Sequence, residues 1–314
     1  MEQTIYLAGG CFWRTHHFFR QVRGVVATQT GYANSHVPSP TYEDVCRGTT
    51  GAAETVKVVF DDSIIQLDQV LDLYLLTIDP LSVNRQGRDV GEQYRTGIYY
   101  SQAEQEPVVE QTLQRLSAMV GEKPAVEAMA LINFYPAETM HQDYLNKNVF
   151  GYCHIDRSLF SLARDYVPDQ TIDRDYQGNL LSFLSYKVTQ FGCTETPYEN
   201  QYWDQFDDGI YVDLLTGEAL FSSRTKFFSD SGWAAFSEPL SPQAVMEKQH
   251  SRNQITRTEL CNRAGTSHLG ELFEDSAESE SGRMYSINSA AVRFIPKDQM
   301  EKEGYGEYLS VWNE

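Results

Sequence analysis

Cys11 stands directly after Gly9-Gly10 and before Phe12-Trp13. A thiol placed at the start of a helix has a chemical use. The helix N-terminus favours the thiolate and lowers its pKa, and glycines let a substrate come close to the backbone. Phe12 and Trp13 offer an apolar wall for a small methyl-bearing group. Taken alone, the same cysteine also fits a buried structural residue in a strand–helix corner. The other cysteines, Cys46, Cys153, Cys193 and Cys261, are scattered, and no CxxC pair occurs. Neither a zinc knuckle nor a thioredoxin-type motif can be drawn from them. An odd set of thiols in a chain of 314 residues points to a reducing, cytoplasmic setting with thiols kept for chemistry.

The elements that must position Cys11 are legible in the hydrophobic pattern. Residues 4–8 read as a buried strand closed by Gly9-Gly10, and Phe12, Phe18, Phe19 and Val22 mark the helix that follows. Residues 56–60 read as a strand, 66–78 as a helix, 96–100 as a strand, 103–120 as an amphipathic helix and 130–135 as a further strand. This alternation predicts an α/β domain of the α+β sandwich type over residues 1–165. Residues 166–181 are polar and turn-rich, the composition of a linker. Beyond Gln190 come short β-type runs separated by Gly, Ser, Asp and Thr, ending with residues 290–296. A second domain over 182–314, mainly β and barrel-like, is expected.

The chain is 41% hydrophobic and 22% charged, with a net charge of −19. Nucleic-acid binding relies on clustered Lys and Arg, so that partner is excluded on charge. Apolar runs are too short to span a membrane, and the N-terminus lacks the basic and apolar regions of a secretory signal.

The motifs of the first half carry a resemblance. Gly9-Gly10-Cys11-Phe12-Trp13 is followed by Gly31-Tyr32-Ala33-Asn34, Tyr42-Glu43-Asp44-Val45-Cys46, Gly51-Ala52-Ala53-Glu54-Thr55-Val56, Gly91-Glu92-Gln93-Tyr94-Arg95, Phe134-Tyr135-Pro136-Ala137-Glu138, His141-Gln142 and Gly151-Tyr152-Cys153. In this order they closely resemble the A-type (S-epimer) methionine sulfoxide reductases. The resemblance implies that Cys11 attacks the sulfoxide sulfur, that Glu54 protonates its oxygen, and that Tyr42 and Tyr94 donate further hydrogen bonds. Phe12 and Trp13 would hold the ε-methyl group, Asp89 would lie beside the substrate, and Cys153 would resolve the sulfenic acid. Oxide is a poor leaving group, so thiolate attack needs proton donation from a carboxylic acid kept neutral by an apolar pocket. The sulfenic acid condenses with a second thiol to a disulfide, which an external, thioredoxin-like dithiol reduces. Two departures stand out: Arg14 where the family usually has Gly, and Ala52 where it often has His. Cys46 reads as a spare, half-buried thiol.

The second half resembles the B-type (R-epimer) reductases. It carries Lys187-Val188-Thr189-Gln190, Thr194-Glu195-Thr196-Pro197-Tyr198, Gly209-Ile210-Tyr211-Val212-Asp213, Thr225-Lys226-Phe227, Ser231-Gly232-Trp233, Ser267-His268-Leu269-Gly270 and Ser286-Ile287-Asn288-Ser289. The resemblance implies that Trp233 lines the methyl pocket and that His268 and Asn288 hold the sulfoxide oxygen. The family nucleophile precedes Ile-Asn-Ser, and here that residue is Ser286. Ser231 stands where a second thiol is common, Glu271 replaces a second histidine, and Met284 replaces a common arginine. The zinc-binding cysteines of many relatives would fall at Asp213, Thr216, Asn262 and Gly265, so a zinc-free form is implied.

A serine cannot reproduce the redox cycle of a thiol. Either Ser286 replaces a natural cysteine or selenocysteine, or the domain has lost catalysis and serves for binding or assembly. If a cysteine stood at 286, its sulfenic acid would need Cys193, Cys261 or an external thiol to resolve it. The leading reading is a reductase of free and peptidyl methionine sulfoxide with no bound cofactor. A thiol peroxidase or redox sensor is the rival among enzymes, and a sulfoxide-binding module is the rival for residues 182–314.

Overall fold

Alternate residues of the first strand, Ile5 and Leu7, are fully buried, and they pair with Val58 and Val56 of a second buried run. Each such side chain contributes roughly 1.5–3 kcal/mol by leaving water. This nucleus lies in a computed structural model that describes residues 1–148, 157–168, 175–176, 179–252, 255–274, 276–279 and 281–312. The chain divides into two units, Met1–Thr171 and Ile172–Glu314.

In the first unit the elements run β1 (Glu2–Gly9), α1 (Phe12–Phe19), β2 (Val25–Ala33), α2 (Tyr42–Cys46), β3 (Ala53–Asp61), α3 (Leu67–Leu76), β4 (Arg85–Gln86), β5 (Asp89–Val90), β6 (Thr96–Tyr100), α4 (Glu106–Val120), β7 (Glu127–Ala130), β8 (Phe134–Pro136), α5 (Tyr144–Lys147) and α6 (Arg157–Asp165). The main sheet has the order β7-β6-β1-β3-β2-β8, antiparallel except for β6 and β7. Helix α4 starts with a proline in its first turn and stops at Gly121 in the left-handed region, as its sequence dictates.

One expected strand is corrected. Residues 130–135 are not continuous: Ala130 ends β7 at one edge of the sheet and Phe134 begins β8 at the other. Leu131 and Phe134 instead pack on the sheet face against Ala8, Ala33, Ala53 and Tyr99. Hydrogen bonds between Asn133 and Ser35, and from the Ile132 amide to Asn34, hold the crossing. Tertiary partners thus override a run whose composition favours a strand.

The second unit begins with the two-residue pair β9 (Asp175–Tyr176) and β10 (Asn179–Leu180), within the expected linker; residues 169–174 and 177–178 of that linker lie outside the described residues. Helix α7 (Phe183–Phe191), to which the sequence patterning assigned no element, is capped by Ser182, whose hydroxyl accepts from the Ser185 amide. Strands β11 (Gly209–Asp213), β12 (Ala219–Ser222), β13 (Lys226–Phe227), β14 (Ala234–Phe236), β15 (Val245–Arg252), β16 (Ile255–Asn262), β17 (His268–Phe273), β18 (Met284–Ile287) and β19 (Val292–Pro296) follow. They form a three-stranded sheet, β12-β11-β19, and a six-stranded sheet, β13-β14-β18-β17-β16-β15. Tyr211 and Phe221 from the first meet Phe236, Leu260, Leu269, Tyr285 and Ile287 from the second in one core. The mainly β character expected from the short runs is observed.

Candidate functional site

Gly10 has φ +76, and a Cβ there would come within 2.6 Å of the Gln86 side chain. Only glycine fits this left-handed turn, which lets the β4–β5 hairpin close over the start of α1. Gln86 fixes the hairpin in turn, bonding the amide and carbonyl of Asp79 at 2.8 and 2.9 Å.

Cys11 is the N-cap residue of α1 and is 8% exposed. The helix-start placement is as expected, but its electrostatic consequence is not. Burial, reinforced by Glu54, pushes the Cys11 thiol up to about 12, against a lowering by Arg14. Desolvation of the anion outweighs the helix terminus, so the resting sulfur is a thiol.

Glu54 lies on β3, 1% exposed, and its Oε2 accepts from the Phe12 amide at 3.0 Å. Burial raises its carboxyl to about 8, the Phe12 bond and Arg14 opposing. The carboxyl therefore carries its proton at neutral pH and is held by the amide of the residue that follows Cys11. Tyr42 and Tyr94 are also pushed upward, first by burial and then by Glu54. Both stay phenols and can donate. Tyr94 is positioned by its neighbour: Arg95 reaches the Gly51 carbonyl at 3.0 Å and Glu127 at 3.0 Å.

Aromatic rings cluster about Phe12 and Trp13. Phe12 lies 6.2 Å from Trp13, 5.9 Å from Tyr32 and 6.5 Å from Tyr42, centroid to centroid. Trp13 stacks on Tyr144 at 3.8 Å and lies 5.6 Å from His141, which is 4.3 Å from Tyr42. Glu138 ties the cage together by accepting from the Tyr32 hydroxyl at 2.7 Å and the Tyr42 amide at 2.8 Å. Tyr32, Glu138 and His141 lay in the matched motifs without an assigned role. Asp89, expected beside the substrate, forms an ion pair with the buried Arg14 guanidinium. Cys46 is exposed rather than half-buried and ends α2, four residues after Tyr42. Cys153 lies outside the described residues.

In the second unit a pocket of about 640 Å³ is lined by Thr194, Trp233, His268, Glu271, Ser286 and Asn288 among others. Four of its residues are those expected to act together. The Trp233 indole N–H donates to the Glu195 carbonyl at 3.1 Å, and the Asn288 Oδ1 accepts from the Glu195 amide at 3.1 Å. The Glu195 carboxylate accepts from the amides of Ser289 and Ala290. Glu195 is thus the organiser that motif reading passed over. The second end of the Asn288 amide donates to the Leu269 carbonyl at 3.2 Å, so this side chain also holds its own loop. His268 Nδ1 lies 2.7 Å from Glu259, which turns the other ring nitrogen to other partners.

Ser286, 8% exposed, sits opposite Glu271 across β17 and β18, and Glu271 meets Arg257 at 3.2 Å. Gly270 permits this close register, since a Cβ there would fall 2.0 Å from the Ser286 carbonyl. The positions matched to zinc ligands carry a hydrogen-bonded network. Asp213 accepts from Asn262 at 2.9 Å and from the Thr216 amide and hydroxyl at 3.1 and 2.6 Å.

The family described as peptide methionine sulfoxide reductase matches residues 3–170, and the SelR domain matches residues 181–296. Among solved structures, Mxr1 from Saccharomyces cerevisiae in reduced form is 34% identical, with a TM-score of 0.47, covering 48% of this chain and 88% of that one. Methionine sulfoxide reductase A of Corynebacterium diphtheriae is also 34% identical, with a TM-score of 0.45, covering 49% of this chain and 78% of its own.

Proposed function

The chain belongs to the peptide methionine sulfoxide reductase family, with a SelR domain following, and from that premise we propose that its first unit reduces the S-epimer through Cys11 while its second binds the R-epimer. The protein is an oxidoreductase that reduces methionine sulfoxide. The observation that carries the finer reading is Glu54, buried, protonated up to about pH 8 and held by the Phe12 amide beside Cys11.

In the proposed step the Cys11 sulfur attacks the sulfoxide sulfur while Glu54 gives its proton to the oxygen. The oxygen leaves on Cys11 as a sulfenic acid, methionine departs as a thioether, and the thiol proton restores Glu54. Sulfur on the substrate is reduced and sulfur on Cys11 oxidised, with no net proton change. Phe12 and Trp13 seat the methyl group, Tyr42 and Tyr94 donate to the oxygen, and Asp89 stays at the rim through Arg14. Cys153 then condenses with the sulfenic acid, releasing water, and a thioredoxin-like dithiol reduces the disulfide. Free methionine sulfoxide and oxidised proteins are the proposed substrates.

Trp233, His268 and Asn288 are proposed to hold the R-epimer in the second pocket, where Ser286 supplies no redox-active sulfur. The barrel-like, zinc-free description of this unit, the boundaries at 165 and 182, and a cytoplasmic location belong to the same proposal. The network of Asp213 and Asn262 supports the zinc-free form by filling the matched positions with mutual hydrogen bonds. No helix among the described residues is long and apolar enough to cross a membrane.

Epimer-resolved turnover of the whole chain with a dithiol reductant tests the reading. S-epimer reduction alone, lost in Cys11→Ser, is expected. S-epimer turnover by Cys11→Ser above a few per cent of the parent would remove Cys11 from the role.

A further inference from the structure

Arg14 is 1% exposed, one of the largest fully buried side chains of the protein, and its charge is permanent. It follows Cys11 by three positions at the start of α1, and its amide donates to the Cys11 carbonyl at 3.3 Å. Cys11 is thus the N-cap of the helix whose first turn carries Arg14. The guanidinium is anchored by Asp89 of the β4–β5 hairpin. A buried cation is costly and is tolerated only where anions face it. Here Asp89 of the hairpin is the paired anion, and Cys11 and Glu54 are the acids on which the Arg14 charge acts.

We propose that Arg14, anchored by Asp89, is a positioning residue whose fixed positive charge stabilises the anion that forms when the Cys11 proton moves. The proposal rests on Cys11 being the nucleophile. During the reaction one proton leaves Glu54 for the sulfoxide oxygen and another leaves the Cys11 thiol for Glu54. A unit negative charge must therefore sit within this site, on sulfur or on carboxylate, while the S–S contact forms. Water is excluded, so the stabilisation must come from a group already in place. Arg14 acts on both acids in the same sense, lowering each against the upward push of burial. Asp89 fixes the guanidinium and at the same time opposes it, offsetting part of its effect at Cys11 and more than all of it at Glu54.

The test reads the thiol itself. The rate of Cys11 alkylation by iodoacetamide, followed by mass spectrometry of the Cys11 peptide from pH 6 to 10.5, is compared in the parent, Arg14→Lys, Arg14→Met and Arg14→Met/Asp89→Asn. The double variant replaces the pair by neutral groups of similar size and keeps the experiment valid if the single change does not fold. In Arg14→Met Cys11 alkylation at pH 8 should fall ~10-fold or more, as expected for removing a nearby opposite charge, and in the double variant it should fall by less, because Asp89 opposes Arg14 at the thiol. In Arg14→Met the descending limb of the single-turnover rate, set by Glu54, should move to higher pH, whereas in the double variant it should not, because at Glu54 the loss of Asp89 outweighs the loss of Arg14. Arg14→Lys should keep both titrations near the parent's. A merely structural role would lower rates without moving either titration. An unchanged Cys11 titration in a folded neutral variant would overturn the proposal. S-epimer turnover retained by Cys11→Ser would instead overturn the assignment of the nucleophile.

Discussion

Glu271 and Ser286 face each other across β17 and β18, both lining the pocket of the second unit. This relationship places an acidic side chain beside the position proposed for a nucleophilic sulfur. The replacement at 286 is therefore not isolated: its cross-strand neighbour also differs from the residue that the resemblance implies. Restoring sulfur with Ser286→Cys should switch on R-epimer reduction without changing S-epimer turnover. Because Glu271 disfavours a neighbouring anion, Ser286→Cys/Glu271→Gln should be faster still near neutral pH. An R-epimer assay with a dithiol reductant checks both. A folded, substrate-binding pair of variants with no turnover would mean the site has lost more than one atom.

Glu54→Gln should slow sulfenic acid formation by about 10²-fold, the usual range for losing a general acid. The pH dependence follows from the raised carboxyl. Glu54 holds its proton below about 8 and loses it above, so the parent rate should fall as pH rises through that value. The stability linked to the neutral carboxyl is full below the unfolded pKa and is lost as pH rises through about 8. Single-turnover rates against pH decide the matter: a Gln variant that keeps the parent's falling limb assigns it to another group.

After one equivalent of S-epimer, peptide mapping should find Cys11 joined to Cys153. The alternative partner is Cys46, which is exposed and lies on α2 with Tyr42. A Cys11–Cys46 bridge, or a sulfenic acid that persists, would reassign the resolving step.

Asp213→Ala should destabilise the second unit by roughly 2–3 kcal/mol, because it leaves the buried Asn262 amide and the Thr216 donors without their acceptor. Three of the four tryptophans, Trp203, Trp233 and Trp312, lie in this unit, so the urea midpoint of tryptophan fluorescence reports it. A midpoint equal to the parent's would show that the network is dispensable.

Much of the scaffold was legible before any coordinates. Apolar periodicity over 4–8, 56–60, 66–78 and 96–100 marks β1, β3, α3 and β6, because strand and helix periods are local. Composition did not foresee the break at 131–133, since that run is interrupted by partners at Asn34 and Ser35, far away in the chain. The same distance hid Glu195, whose contacts with Asn288 span 93 residues.

What the sequence determined by itself was chemistry by type: a thiol after two glycines, an acid before a strand, aromatic neighbours, and a serine where sulfur is expected. Only the tertiary structure decided the state of those groups. Placing Cys11 at a helix start argues for a lowered thiol pKa, yet burial raises it to about 12. Glu54 keeps its proton at neutral pH because the sheet buries it. Arg14 becomes a buried ion pair only because the hairpin brings Asp89 from 75 positions away. Charge states depend on the solvent excluded around a group and on charges gathered from distant segments, and neither is written in the neighbouring letters.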